Sequence, residues 1–398
     1  MAGIGAQLKI LFLVTQDFSF WSRRLFLARK LRDLGVEVWV MTCAEGFAEA
    51  LRQEGFKIVP WNVSRRSMNP LREAYAFLQV VRAYRKIAPD LVHHFALKPI
   101  FYGGLAARHC GEISTVNSVV GLGHAFTNDS THMRIVRQFL LLFLRLALKR
   151  KGSKVIFQNP DNLEEIIQAG TVRRDQCILI RGSGVNAEQF FPQPEPNGVP
   201  VVVLASRMLW EKGIREFVQA AELLRGQGIS ARFLLVGDPD DANVSSIPVS
   251  QLRAWADAGA IEWRGHRDDM PAVFAEANLV CLPSYGEGVP RSLIEAAACG
   301  RAIVASDVPG CREVVRHGEN GLLVPARDSR TLANALATLI EDSALRAKMG
   351  ARGRVIFLRE FSEEIVLEQT LTVYRDLLGS RWPDASRHPL SALATIIR

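Results

Sequence analysis

The chain has 398 residues, 48% hydrophobic and 23% charged, which excludes a disordered chain and exceeds what one ordinary core holds. Its formal net charge of +8 suits nucleic acid, an anionic membrane or a phosphate-rich substrate. No arginine-rich tail, zinc-finger spacing or aromatic RNA-binding signature favours nucleic acid.

Residues 1–7 lack a signal-peptide pattern, and the first strand, residues 9–14, is far shorter than the ~20 apolar residues a membrane span needs. A helix over 23–34 stops at Gly35, and a strand follows at 36–42. A short helix at 47–53, a strand at 57–59, a long helix at 70–87 and a strand at 91–94 come next. A helix through Ala107, a strand at 116–119, a helix over 132–151 and a strand at 154–157 complete the first half. Such alternation predicts a parallel sheet with helices on both faces. The helix ending at Lys151 is strongly apolar, broken by Arg134, Arg137 and Arg145, and closes on Lys149, Arg150 and Lys151. It is either a buried helix with a basic end or an interfacial helix whose cations meet anionic lipid. Arg65, Arg66 and Arg72 add a second basic stretch.

The pattern restarts near Pro200, with strands at 201–205, 231–236, 261–264, 279–282, 302–305 and 321–324 and helices between them. Residues 191–198 form the richest proline cluster and read as the linker. The fold class expected is α/β: two doubly wound domains, residues 1–192 and 199–361, with the cleft between them as the default site. Residues 362–378 read as a C-terminal helix, and the tail after Pro383 has no assigned role. The six cysteines, Cys43, Cys110, Cys177, Cys281, Cys299 and Cys311, lack CxxC spacing and read as reduced thiols of a cytosolic protein.

Three segments of the second half carry chemistry. The strand at 201–205 ends in a loop holding Arg207 and Lys212, then Gly213. Strand ends are where doubly wound folds bind ligands, and these cations suit phosphate, Arg207 as a planar fork and Lys212 as a point charge. The loop at 263–270 contains Gly265 and His266, where glycine permits close approach of a flat base. A turn capped by Asp268 or Asp269 is the plainer alternative. The run Pro283-Ser284-Tyr285-Gly286-Glu287-Gly288-Val289-Pro290 leads into a helix bearing Glu295, with Pro290 suited to the first helical position and Gly300 just past the end. A strand, turn and helix of this kind offer free N–H groups beside a carboxylate, a place for a sugar and part of a phosphate.

Together with Asp307-Val308-Pro309-Gly310-Cys311-Arg312-Glu313, these motifs resemble, in order and spacing, the retaining GT-B glycosyltransferases of family 4. The first half is similar to the bacterial subgroup, of PglA type, that adds N-acetylgalactosamine to polyprenyl-diphosphate-linked sugars. The matching segments are His93 to Pro99, Asn117 to Gly123 and Phe157-Gln158-Asn159. The resemblance implies a GT-B fold and transfer of a sugar, N-acetylgalactosamine, from a UDP-sugar to an undecaprenyl-diphosphate-linked saccharide. Arg207 and Lys212 would hold the diphosphate and stabilise the departing UDP, so no metal or other cofactor is expected. Glu287 would contact the transferred sugar, Glu295 the ribose, and Gly288 and Val289 the sugar or phosphate. A glycosidase-like carboxylate pair does not fit, because the helix carries Glu295 away from the sugar carbon. Arg23, Arg24, His94, Lys98 and His124 are the acceptor-binding candidates. The implied setting is cytoplasmic and peripheral, at an anionic membrane surface. Two departures stand out: residues 15–24 have no Gly-Gly loop, and Ser22-Arg23-Arg24 replaces Ser-His-Arg. The competing readings are transfer of another hexose to a lipid-linked O-antigen or capsule precursor, a non-catalytic nucleotide-sugar-binding protein and a 2-epimerase, and the complete set of Arg207, Lys212, Glu287 and Glu295 argues against the non-catalytic one.

Overall fold

The structure is a computed structural model that describes residues 7–64, 69–121, 131–240 and 243–383. The chain divides into two compact units. One runs up to Ile180 and resumes at Leu367, and the other comprises Arg181–Val366. The proline-rich stretch read as a linker is fastened to the second unit: Arg346 pairs with Glu195 at 2.8 Å, and Arg301 donates to Pro194 O at 3.4 Å.

The first unit opens with β1 (Lys9–Gln16), α1 (Asp17–Asp33), β2 (Glu37–Cys43), α2 (Ala48–Gln53), β3 (Lys57–Pro60) and α3 (Pro70–Ile87). It continues through β4 (Leu91–Phe95), α4 (Leu97–Ala107), β5 (Ser114–Val119), α5 (Thr131–Leu148), β6 (Ser153–Phe157), α6 (Pro160–Gln168) and β7 (Cys177–Leu179). The seven strands are parallel in the order β3-β2-β1-β4-β5-β6-β7. β4 and β5 are buried along their whole length, as strands covered on both faces must be. Helix starts follow local chemistry. Asn69 caps α3 by accepting from Leu71 and Arg72 N–H, with Pro70 at the first position. Asn159 and Pro160 repeat the device at α6. Neither α6 nor the three-residue β7 was expected from periodicity.

In the second unit come β8 (Val201–Ala205), α7 (Ile214–Gly226), β9 (Arg232–Val236), α8 (Val249–Asp257), β10 (Glu262–Trp263) and α9 (Met270–Ala275). Then follow β11 (Leu279–Leu282), α10 (Arg291–Ala298), β12 (Ala302–Ser306), α11 (Pro309–Val314), β13 (Gly321–Val324), α12 (Ser329–Glu341), α13 (Ser343–Glu360) and α14 (Glu363–Leu378). The strand order is β10-β9-β8-β11-β12-β13, again all parallel. Two hydrophobic clusters fill the two faces of this sheet, one around Phe217 and Leu336, the other around Phe274 and Phe357. α14 begins in the second unit, where Glu363 N–H donates to Val185 O, and its later residues belong to the first. There Tyr374 lies 2.5 Å from His93 Nδ1.

Candidate functional site

In each sheet the strand order reverses at one point: between β1 and β4 in the first unit, between β8 and β11 in the second. Loops leaving the carboxyl ends of such strands diverge and form a ligand crevice. In the second unit the two loops are those carrying Arg207 and Lys212, after β8, and Glu287, after β11.

The loops are laced together. Tyr285 N–H and Ser284 Oγ both donate to Glu211 O, at 2.9 and 3.0 Å. Gly213 sits at φ +71, and a Cβ there would lie 2.0 Å from Pro283 O, so only glycine allows this approach. The result places Lys212 Nζ 2.6 Å from Glu287 Oε1, with both side chains largely buried. Arg207 donates to Asp240 Oδ2 at 2.6 Å and stays half exposed. Asp240 belongs to the segment after β9, whose Asp238 O accepts from Met208 N–H at 2.9 Å. Gly310, at the start of α11, packs against the Glu287 turn: a Cβ there would lie 2.2 Å from Gly288 O. Burial, with Glu287 nearby, holds the Cys311 thiol well above its usual range, so the thiol under the turn stays protonated.

Glu295 is on the buried face of α10, where Arg291, one turn earlier, donates to its Oε1 at 2.7 Å. Glu287 is thus paired with Lys212 and Glu295 with Arg291. Pro290 is not the first helical residue. It is the extended cap, with ψ 118°, and α10 starts at Arg291. Gly265 is left-handed at φ +64, and His266 is exposed, with its N–H on Asp238 Oδ1 at 3.0 Å and Nε2 3.0 Å from Asp268 Oδ1. Asp269 stands at the cap of α9 without a side-chain capping bond; it pairs with Arg267 instead. Gly288 and Val289 line the same turn as Glu287. Among the described residues no cluster of three or more His, Cys, Asp or Glu side chains could hold a metal ion.

In the first unit, β1 passes directly into α1 with no glycine loop. The buried Asp17 carboxylate takes the place: Oδ1 accepts from Phe18 N–H, and Oδ2 from Glu45, Gly46 and Phe47 N–H at 2.8–3.0 Å. Arg24 is buried, with its guanidinium 4.4 Å from the centroid of the Phe95 ring at the end of β4, and Arg23 is exposed. Lys98 pairs with Glu73 at 2.9 Å and donates to Ser64 O at 2.6 Å. His94 does not serve as an acceptor contact. It is fully buried, with Nε2 2.8 Å from Tyr84 Oη and Nδ1 2.7 Å from Asn117 Oδ1, and burial lowers its pKa to about 4. His124 lies outside the described residues, as do Arg65 and Arg66.

α5, the apolar helix, is buried on one side only. Leu144, Ala147 and Leu148 are buried, while Ile135, Phe139, Leu142, Phe143 and Leu146 form an exposed stripe, Phe139 at 59% and Leu142 at 52%. Arg134 and Arg145 are exposed beside them. No helix among the described residues is long and apolar enough to cross a membrane.

Comparison with known proteins gives a consistent answer. The Glycosyl transferases group 1 family matches residues 199–342, and the Glycosyl transferase 4-like family matches residues 9–159. A Campylobacter jejuni N,N'-diacetylbacillosaminyl-diphospho-undecaprenol alpha-1,3-N-acetylgalactosaminyltransferase is 28% identical over 380 residues, 92% of this chain and 98% of that protein. Anabaena HepE in complex with UDP-glucose superposes with a TM-score of 0.75 at 23% identity, covering 93% of this chain and 99% of the other. Sucrose-phosphate synthase from Thermosynechococcus elongatus gives 0.76 at 21% identity, over 94% and 99% of the two chains. Two parallel-sheet Rossmann-like units, both family matches and an Arg–Lys and Glu–Glu constellation at a strand-order reversal converge: the chain belongs to the GT-B glycosyltransferases of family 4.

Proposed function

We propose that this glycosyltransferase moves N-acetylgalactosamine from UDP to a saccharide carried on undecaprenyl diphosphate, with retention of configuration, at an anionic membrane surface. The observation that carries the reading is the Lys212–Glu287 pair, 2.6 Å apart at the strand-order reversal. It sets a phosphate-seeking cation beside a carboxylate able to bind a sugar hydroxyl. Arg207 and Lys212 take the donor diphosphate and stabilise the charge that develops as UDP leaves, which replaces a divalent ion. Glu287 binds and orients the transferred sugar, and Glu295, set by Arg291, accepts from the ribose hydroxyls. Gly288 and Val289 N–H face sugar or phosphate, and Gly265 and His266 border the base. In the front-face reaction that suits retention, the leaving phosphate accepts the proton of the attacking hydroxyl.

The length-spanning likeness to the Campylobacter enzyme supports the lipid-linked acceptor and the sugar. For the acceptor, Arg23, Arg24 and Lys98 remain the candidate contacts. The exposed stripe of α5 with its flanking arginines supports a peripheral membrane position.

The test is a panel of UDP-sugars assayed against defined polyprenyl-diphosphate saccharides, with EDTA present and product linkage read by NMR. Expected is turnover with UDP-N-acetylgalactosamine and an α-linked product. Glu287→Ala and Arg207→Ala should each lower turnover by about 100-fold or more while the fold is kept. Full activity in both variants would overturn the site assignment.

A further inference from the structure

Tyr285 stands two residues before Glu287 and takes no part in the chemistry proposed above. Its surroundings are nevertheless built with care. The phenol donates to Glu216 Oε1 at 2.8 Å. Glu216 lies on the first turn of α7, only 7% exposed, and its Oε2 is buried with no hydrogen-bond partner. Over the ring sits the Arg327 guanidinium, 4.5 Å from the centroid. Arg327 itself holds a left-handed backbone, φ +64, which a non-glycine residue adopts only under constraint. An unsatisfied buried carboxylate oxygen and a left-handed arginine are both destabilising, and folds keep such features where the surroundings over-determine them.

The position explains what they do. Glu287 lies between Gly286 and Gly288, neither of which has a side chain to anchor the turn, and the turn's backbone packs against Gly310. Besides the bonds of Tyr285 N–H and Ser284 Oγ to Glu211 O, two side-chain contacts bear on the turn: the ion pair with Lys212 and the Tyr285–Glu216 bond. The first is a charge contact that an incoming diphosphate shares, because phosphate oxygens compete with the Glu287 carboxylate for the same ammonium. The second joins a phenol to a carboxylate, neither of which holds the diphosphate in the proposed function, so phosphate oxygens do not compete for it. Burial and the bond to Glu216 push the Tyr285 hydroxyl up to about 12, so it remains a donor throughout the neutral range.

We infer that Tyr285, seated on Glu216 and covered by Arg327, is a positioning residue that keeps Glu287 aimed at the transferred sugar once the donor diphosphate engages Lys212. The inference rests on the roles proposed for Lys212 and Glu287.

The experiment uses the full chain and compares Tyr285→Phe, Glu216→Gln, the pair Tyr285→Phe with Glu216→Leu, and Glu287→Gln. UDP affinity is measured by calorimetry, and kcat with whichever of UDP-GalNAc, UDP-GlcNAc, UDP-galactose and UDP-glucose the wild type uses best. Expected for Tyr285→Phe is a kcat about ten-fold lower, with the Kd for UDP within about two-fold of wild type, since misaimed groups lose rate, not nucleotide contacts. Glu216→Gln keeps an acceptor for the phenol and should stay within about three-fold of wild-type kcat. The doubly apolar pair restores the thermal midpoint, because removing both partners leaves nothing unpaired, yet its kcat stays low. Wild-type kcat in Tyr285→Phe or in the double variant, or parallel losses of kcat and UDP affinity, would overturn the inference. Unchanged turnover in Glu287→Gln would instead remove the sugar-facing role of Glu287 itself, and the inference with it.

Discussion

Gly213 is the residue on which the donor half of the site turns. It adopts φ +71 and brings the Lys212 loop against Pro283 O, where a Cβ would stand 2.0 Å from the oxygen. Gly213→Ala therefore meets a left-handed backbone and an immovable carbonyl at once. We expect a loss of roughly 2–4 kcal/mol in urea unfolding, with UDP binding weakened as the Lys212 and Glu287 loops part. A second residue-scale case is His94. Burial, with Arg150 adding to it and the Asn117 bond opposing it, lowers its pKa from 6.5 to about 4. The folded state thus refuses a proton that the unfolded chain accepts below about 6.5. His94 contributes its full stability above that pH and loses it progressively as the pH falls towards 4. Unfolding free energy should drop by about 2 kcal/mol from pH 7 to pH 5 on this account, and His94→Gln should flatten the slope. His93, also driven low by burial, acts in the same direction.

At the scale of elements, α5 makes the clearest prediction. Phe139 and Leu142 are exposed, so Phe139→Asp with Leu142→Asp removes apolar surface without opening the core. Thermal stability should hold while co-sedimentation with anionic vesicles falls several-fold. Equal vesicle binding by the variant would take the membrane role away from this helix. The elements also mark what sequence can convey. The alternating strands and most helices between them were legible with approximate bounds, because buried parallel strands are apolar runs and helices carry a 3.6-residue period, but α6, α12 and α13 were not placed. The three-residue β7 carries too short a run to register. The partners of β4 were equally hidden: His94 stood as an acceptor-binding candidate because nothing local tells that Tyr84 and Asn117 converge on it. The Arg291–Glu295 pair, one turn apart on α10, went unread although its spacing is local. Pairs such as Arg207–Asp240 and Tyr285–Glu216 join residues far apart in sequence, and only the strand order places them together.

On the scale of the whole molecule, the two units repeat one architecture but handle the reversal point differently. In the second, the loops after β8 and β11 carry the half-exposed Arg207 and the largely buried Lys212–Glu287 pair. In the first, the corresponding turn after β1 is stoppered by Asp17, whose carboxylate already takes the N–H groups of residues 18, 45, 46 and 47. A backbone cradle grips an anion at fixed distances and is little troubled by salt. Long side chains at a surface hold one through a diffuse field that dissolved ions shield. The contacts proposed for the exposed Arg207 and Arg23 should therefore loosen together as ionic strength rises, the apparent KM of donor and acceptor climbing in parallel, while the Asp17 cradle and the fold around β1 are little affected.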